Sequence, residues 1–203
     1  MPKRVNAEEQ RRRIVRSAFR VLARDGLEGL SMRQVAREAG CTIGLINHWF
    51  TSKDDLVMAA WQEAVRHETE RGDRLRAEDR YSADEILLDT LPTTPETRRK
   101  ELVWQAFAAH AISSPAVRKV YNRHYDYARR LLAGALAPDA QPGEQEEELA
   151  DLLIAATDGI AKMAALDPDH WPAARQRKVL HRLIAPHLDA SRRTTGAQKR
   201  PIR

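Results

Sequence analysis

The chain has one cysteine in 203 residues. That excludes an intrachain disulfide framework and fits a reducing compartment. No apolar run approaches the length that a membrane span needs. The N-terminal stretch MPKRVNAEEQRRR lacks the hydrophobic segment of a secretory signal. A cytoplasmic location and no membrane partner are therefore expected. Catalytic signatures are missing too: there is no HExxH, no CxxC, no glycine-rich phosphate loop and no nucleophile elbow. Seven histidines are present, but His67, His110 and His124 do not have metal-ligand spacing. The expectation is a chain that is not an enzyme, with no catalytic residue, no metal site and no cofactor. An all-helical enzyme would need groups that the sequence does not display.

What is present concentrates near the N-terminus. In SMRQVAREAGCTIGLINHWFTSK, Ser31 to Lys53, Ser31 and Gln34 have capping-box spacing. Met32, Val35, Ala36 and Ala39 then recur at helical spacing, and Gly40 supplies the residue that ends the helix. Thr42 caps a second helix with the apolar stripe Ile46, Trp49 and Phe50, while Gly44, Asn47 and His48 fall on the opposite side. Ser52 caps a third helix, and Asp54 and Asp55 suit the positive end of its dipole. Three starts and one glycine stop match a helix-turn-helix. Glycine-turned hairpins also occur as plain structural elements. Here, however, the outward face carries a small residue, an amide and an imidazole, which suit base edges and phosphates. Cys41, in the turn, reads as a small buried hydrophobe, with redox sensing as the alternative.

Ile14 to Met58 resembles the DNA-binding domain of the TetR family of bacterial transcriptional repressors. The shared marks are an alanine-rich first helix ending in Asp25-Gly26, then Ser31-Met32-Arg33, Val35-Ala36, Ala39-Gly40, Gly44, Phe50, Ser52-Lys53 and Leu56. Within the family, Gly44 to Phe50 is most similar to the betaine-type (BetI-like) branch. Many relatives have Tyr where this chain has Asn47, and Val where it has Cys41. The resemblance implies that Arg33 approaches a phosphate or base, and that Thr42 and Lys53 contact phosphate. Ile43, Gly44 and Leu45 are to face the groove floor. Asn47, His48 and Trp49 stand where relatives contact backbone and bases, although the spacing of Trp49 fits the domain core equally well.

The rest of the chain reads as helices without a convincing strand, so the fold class is all-α. The first helix is expected over about Ala7 to Arg24, ended by Gly26. Later ones are expected from Ser52 to about Glu78, Ala83 to Leu91, Glu96 to Ile112, Pro115 to Leu136, Glu146 to Leu166 and Ala173 to Leu188, with Pro186 kinking or ending the last. The expected division is a helix-turn-helix domain with a basic arm over 1–52, a helical effector-binding and dimerisation domain over 53–190, and a disordered basic tail over 191–203. Net charge is only +5, with both signs abundant. Yet Lys3, Arg4, Arg11, Arg12, Arg13 and Arg16 crowd the start, as either a solvated tail or an arm reaching phosphates or a minor groove.

For the second domain the resemblance implies a ligand-responsive homodimer on a pseudo-palindromic, double-stranded operator in the nucleoid. The last two long helices would pair across a two-fold axis through Leu152, Ala156, Ile160, Met163, Leu180 and Ile184. Periodicity alone allows these residues simply to complete one core. It further implies a pocket for a small-molecule inducer of unknown identity. The candidate wall residues are Trp61, Trp104, Phe107 and His110, with Tyr121, His124 and Tyr125. Aromatic faces suit a quaternary ammonium, but aromatics at helical spacing also serve as plain core.

Overall fold

The computed structural model describes the backbone of residues 2–77, 82–138 and 140–197, and the side chains of 7–77, 82–138 and 140–187. Those residues form nine helices and no strand: α1 (Pro2–Gly29), α2 (Met32–Ala39), α3 (Ile43–Trp49), α4 (Lys53–Ala77), α5 (Ala83–Asp89), α6 (Pro95–Ser113), α7 (Pro115–Leu136), α8 (Glu144–Leu166) and α9 (Ala173–Ala197). Among them no helix is long and apolar enough to cross a membrane.

The chain packs as two compact units. The first takes Met1–Glu68 and Leu102–Asn122, and the second takes Thr69–Glu101 and Arg123–Arg203. The division therefore passes through α4, α6 and α7, whereas the boundary expected from sequence lies at the start of α4. In the first unit, Ile14, Ala18, Val21 and Leu22 recur at helical spacing on α1 and are buried. They pack into one core with Val35, Ala36 and Ala39 of α2, Ile46 of α3, Leu56 and Trp61 of α4, and Val103 and Phe107 of α6. Trp61 and Phe107 stack, with ring centroids 4.6 Å apart and planes at 16°.

The second unit has its own core, in which Ile86 and Leu87 of α5 meet Leu132 of α7, Leu153 and Ile160 of α8, and Leu180 and Ile184 of α9. Polar ties connect the same elements. The Arg129 guanidinium on α7 donates to Asp151 on α8 at 2.7 Å, and Arg98 donates to the Ala165 carbonyl at 2.7 Å. The latter places a cation on the last carbonyls of α8, where the helix dipole favours it.

Two expectations change. Pro186 lies inside α9 and does not end it: the helix forgoes one internal hydrogen bond there and continues to Ala197. α9 thus runs into the stretch where a disordered tail is expected, and 198–203 lie outside the described residues. At the other end, the regular part of α1 does stop at Gly26. This residue has φ 70 and ψ −177, a conformation open essentially to glycine alone.

Candidate nucleic-acid interface

The hairpin forms as its residue types dictate. Ser31 Oγ accepts from the Gln34 backbone N–H at 3.2 Å, capping α2. The glutamine reaches back as a capping box requires, but to the serine hydroxyl, which donates to its Oε1 at 3.0 Å. Gly40 sits at φ 60, ψ 44, and the Cys41 N–H closes on the Ala36 carbonyl at 3.0 Å. This left-handed stop turns the chain directly into the next helix. Thr42 Oγ1 then accepts from the Leu45 N–H at 3.3 Å and starts α3. Ser52 Oγ accepts from the Asp55 N–H at 3.0 Å and starts α4. Asp55 in turn accepts from the Thr51 N–H at 3.1 Å and from its hydroxyl. These bonds, led by the Thr51 hydroxyl, hold its carboxyl below the usual range.

α3 is thereby held by one face only. Ile46 and the following Phe50 are buried, while Thr42, Ile43, Gly44, Asn47 and His48 are exposed together. Leu45, expected to face a groove, and Trp49, whose spacing fitted the core as well as a DNA contact, are half-buried against the core. The Trp49 indole N–H is covered and has no partner, so its ring serves packing. Arg33 is exposed on the first turn of α2, and Lys53 is half-buried at the start of α4. Neither has a carboxylate within 4.0 Å among the described residues. By contrast, Arg20 and Arg24 both bind Glu38, at 2.8 and 3.1 Å. Of the basic N-terminal cluster, the side chains of Lys3 and Arg4 lie outside the described residues.

The seven aromatic and histidine candidates for an effector pocket divide between the units. Trp61, Trp104, Phe107, His110 and Tyr121 belong to the first, where Trp61 and Phe107 are fully buried core. His124 and Tyr125 belong to the second. There the Tyr125 hydroxyl donates to Asp158 at 2.5 Å, and the His124 ring stands edge-on to Tyr125 with centroids 5.3 Å apart. Burial raises the Asp158 carboxyl above the ordinary carboxylate range, and the tyrosine hydrogen bond opposes that shift. His124 is pushed down to about 4, first by burial and then by the Arg71 charge. The Asp158–Tyr125 pair was not among the sequence candidates. Its signal was a carboxylate at position 158, inside the otherwise apolar band of α8.

His124 gives the fold an acid limit. Its folded pKa lies below the ordinary value, so its contribution is complete above about 6.5 and is lost as pH falls toward 4. The full loss is on the order of 3 kcal/mol. Asp158 acts in the opposite sense: its raised pKa makes stability fall as pH rises through that group's titration. Chemical denaturation at a series of pH values is expected to show stability declining below pH 6.5, and His124→Phe is expected to flatten that decline.

The six residues expected at a dimer interface also separate. Leu180 and Ile184 are 0% and 1% exposed, and Ile160 is buried with them in the core of a single chain. Leu152 and Met163 are 53% and 50% exposed, with Ala156 half-buried between them. The apolar band on α8 is thus two stripes. One, through Leu153, Ile160 and Ala164, faces inward. The other, through Leu152, Ala155, Gly159, Met163 and Leu166, is left outside.

Comparison with known proteins decides the family. Residues 14–60 match the model for "Bacterial regulatory proteins, tetR family", and residues 77–189 match that for "BetI-type transcriptional repressor, C-terminal". The chain belongs to the TetR family of bacterial transcriptional regulators. It is 30% identical to the HTH-type transcriptional regulator PksA of Bacillus subtilis, over 89% of this chain and 90% of that protein. Among solved structures, a transcriptional regulator from Rhodococcus sp. Rha1 superposes with a TM-score of 0.78 at 28% identity, covering 88% of this chain and 96% of the other. The multidrug binding protein EbrR complexed with ethidium superposes at 0.63 and 29% identity, covering 87% and 98%. Family membership makes the α2–α3 hairpin of this regulator its DNA-reading head.

Proposed function

We propose that this regulator is a homodimeric repressor acting in the cytoplasm, which reads a pseudo-palindromic operator through α3 and is released by a small organic cation. The observation that carries the DNA reading is the one-sided burial of α3. Its exposed face offers Ile43 and Gly44 to thymine methyls, and Asn47 and His48 to bases or backbone. Thr42 uses its oxygen as an acceptor in the cap, which leaves its hydroxyl proton free to donate to a phosphate. Arg33 and Lys53 flank that face as phosphate ligands. The outer stripe of α8, with exposed Leu183 on α9, supports pairing of two copies through these helices.

For the inducer we assign the contact to Asp158, Tyr125 and His124. A carboxylate disfavoured by burial gains a counter-charge when a cation arrives, and aromatic rings add attraction through their faces. A neutral His124 does not repel it. The similarity to an ethidium-binding protein supports this class of ligand. The inducer need only prefer the conformation that cannot hold DNA; a coupling of about 1–3 kcal/mol changes operator affinity about 5–150-fold.

Selection from random duplexes followed by gel shift tests the reading. The expected product is a pseudo-palindrome. Asn47→Ala should relax preference at one base pair of each half-site, costing about 1–3 kcal/mol, whereas Lys53→Ala should weaken all sequences alike. Ethidium should displace the wild-type protein from that duplex and fail to displace Asp158→Asn. Enrichment of no sequence at moderate salt would refute it.

A further inference from the structure

The basic cluster on α1 is not uniform. The guanidinium of Arg12 binds Glu8 at 2.7 Å, and Arg20 and Arg24 are held by Glu38 and Asp25. Arg16 turns back to the Arg12 carbonyl at 3.5 Å. Arg11 behaves differently. Its guanidinium carbon stands 5.4 Å from the centroid of the Phe50 ring, and it has no carboxylate within 4.0 Å among the described residues.

Phe50 is the C-cap of α3, and Lys53 begins α4 three residues later. Phe50 is itself only 3% exposed, so the ring is fixed in the core and presents a fixed face to the cation. Attraction between a cation and an aromatic face orients the arginine without neutralising it. The result is an exposed positive charge, carried by α1 but anchored at the exit of the recognition helix, with all its N–H donors available for an anion. A planar guanidinium so placed matches a phosphate with two donors at once.

We infer that Arg11 is an additional DNA phosphate ligand, held in place by Phe50 and acting beside Lys53 without reading sequence. This rests on the operator reading proposed above. Each phosphate neutralised releases condensed counterions, so the contact is visible in the salt dependence of binding, with a slope of about 0.9 per contact. On the selected duplex, Arg11→Gln is expected to flatten the plot of log affinity against log salt by about 0.9 per head, or about 1.8 for two heads. The discrimination between selected and random duplex should stay unchanged. Arg11→Lys should keep the wild-type slope, and Arg12→Gln should leave it unaltered.

An unchanged slope for Arg11→Gln overturns the inference, including the case where the variant only melts earlier, because Arg11 would then merely cover the ring. A loss of sequence discrimination also overturns it, because Arg11 would then read a base. Failure of the wild-type protein to select any duplex is a different result: it removes the operator reading itself.

Discussion

Leu152→Arg combined with Met163→Arg is expected to turn the protein into a folded monomer with operator affinity lower by at least about 100-fold. Both side chains are half or more exposed in the single chain, so the substitutions break no packing within the protomer. Their effect falls on whatever covers the outer stripe of α8. A two-fold interface is self-complementary, so each new charge meets the same altered surface on the partner copy. Once the copies separate, the second head no longer binds at high effective concentration, and avidity of about 10²–10⁴ is lost. Sedimentation at working concentration reads the first effect and gel shift the second. Leu180→Ala, on the neighbouring helix but at 0% exposure, is expected to do something else: it should cost about 2–5 kcal/mol of stability by opening a cavity. The same unfolding result from Leu152→Arg would show that the outer stripe is core after all.

Gly26→Ala is expected to destabilise the first unit more than Gly40→Ala, although both glycines have positive φ and open space where an added methyl group would stand. Conformation separates them. Gly40, at φ 60 and ψ 44, lies in the left-handed helical region, where an alanine costs about 1–2 kcal/mol. Gly26, at φ 70 and ψ −177, lies in a region that a Cβ makes essentially inaccessible, and a cost toward the upper end of about 1–3 kcal/mol follows. Since no neighbour clashes at either site, the difference is purely one of backbone. Urea unfolding of the two variants measures it. For DNA binding the order reverses: Gly40 sets the angle between α2 and α3, so Gly40→Ala should lose more operator affinity relative to its loss of stability.

The hairpin was legible because its signals are local. Caps at Ser31, Thr42 and Ser52 and the stop at Gly40 all act within one helical turn, and each appears where its residue type requires. The exposed set on α3 followed from the same periodicity. Leu45 and Trp49 were harder, because a seven-residue helix shows too few turns to separate its flanks from its buried stripe. The two stripes of α8 could not be separated for a related reason. A band apolar on two sides looks like one broad face until a partner helix occupies one of them, and α9 takes the side of Ile160 and not that of Met163. The pairing of Asp158 was missed because it lies in what the carboxylate touches, Tyr125, at a separation of 33 residues. Arg11 was named only as one of a basic cluster, because the contact that singles it out, Phe50, lies across three helices. At Pro186 the local rule leaves a kink and an end as alternatives; the helix does not end there, because a segment already packed through Leu180 and Ile184 tolerates one missing donor.

The central claim is that two heads read one duplex in fixed register, and moving the half-sites tests it most directly. Successive major-groove faces recur about every 10–10.5 base pairs. Inserting about five base pairs between the two halves of the selected site turns one half to the opposite side of the duplex. The account predicts a loss of about 100-fold or more in affinity on that insertion, and no recovery when about ten are inserted, because heads at a fixed spacing cannot span an extra turn of about 34–36 Å. Affinity indifferent to both insertions would contradict it, and would mean that each head binds alone.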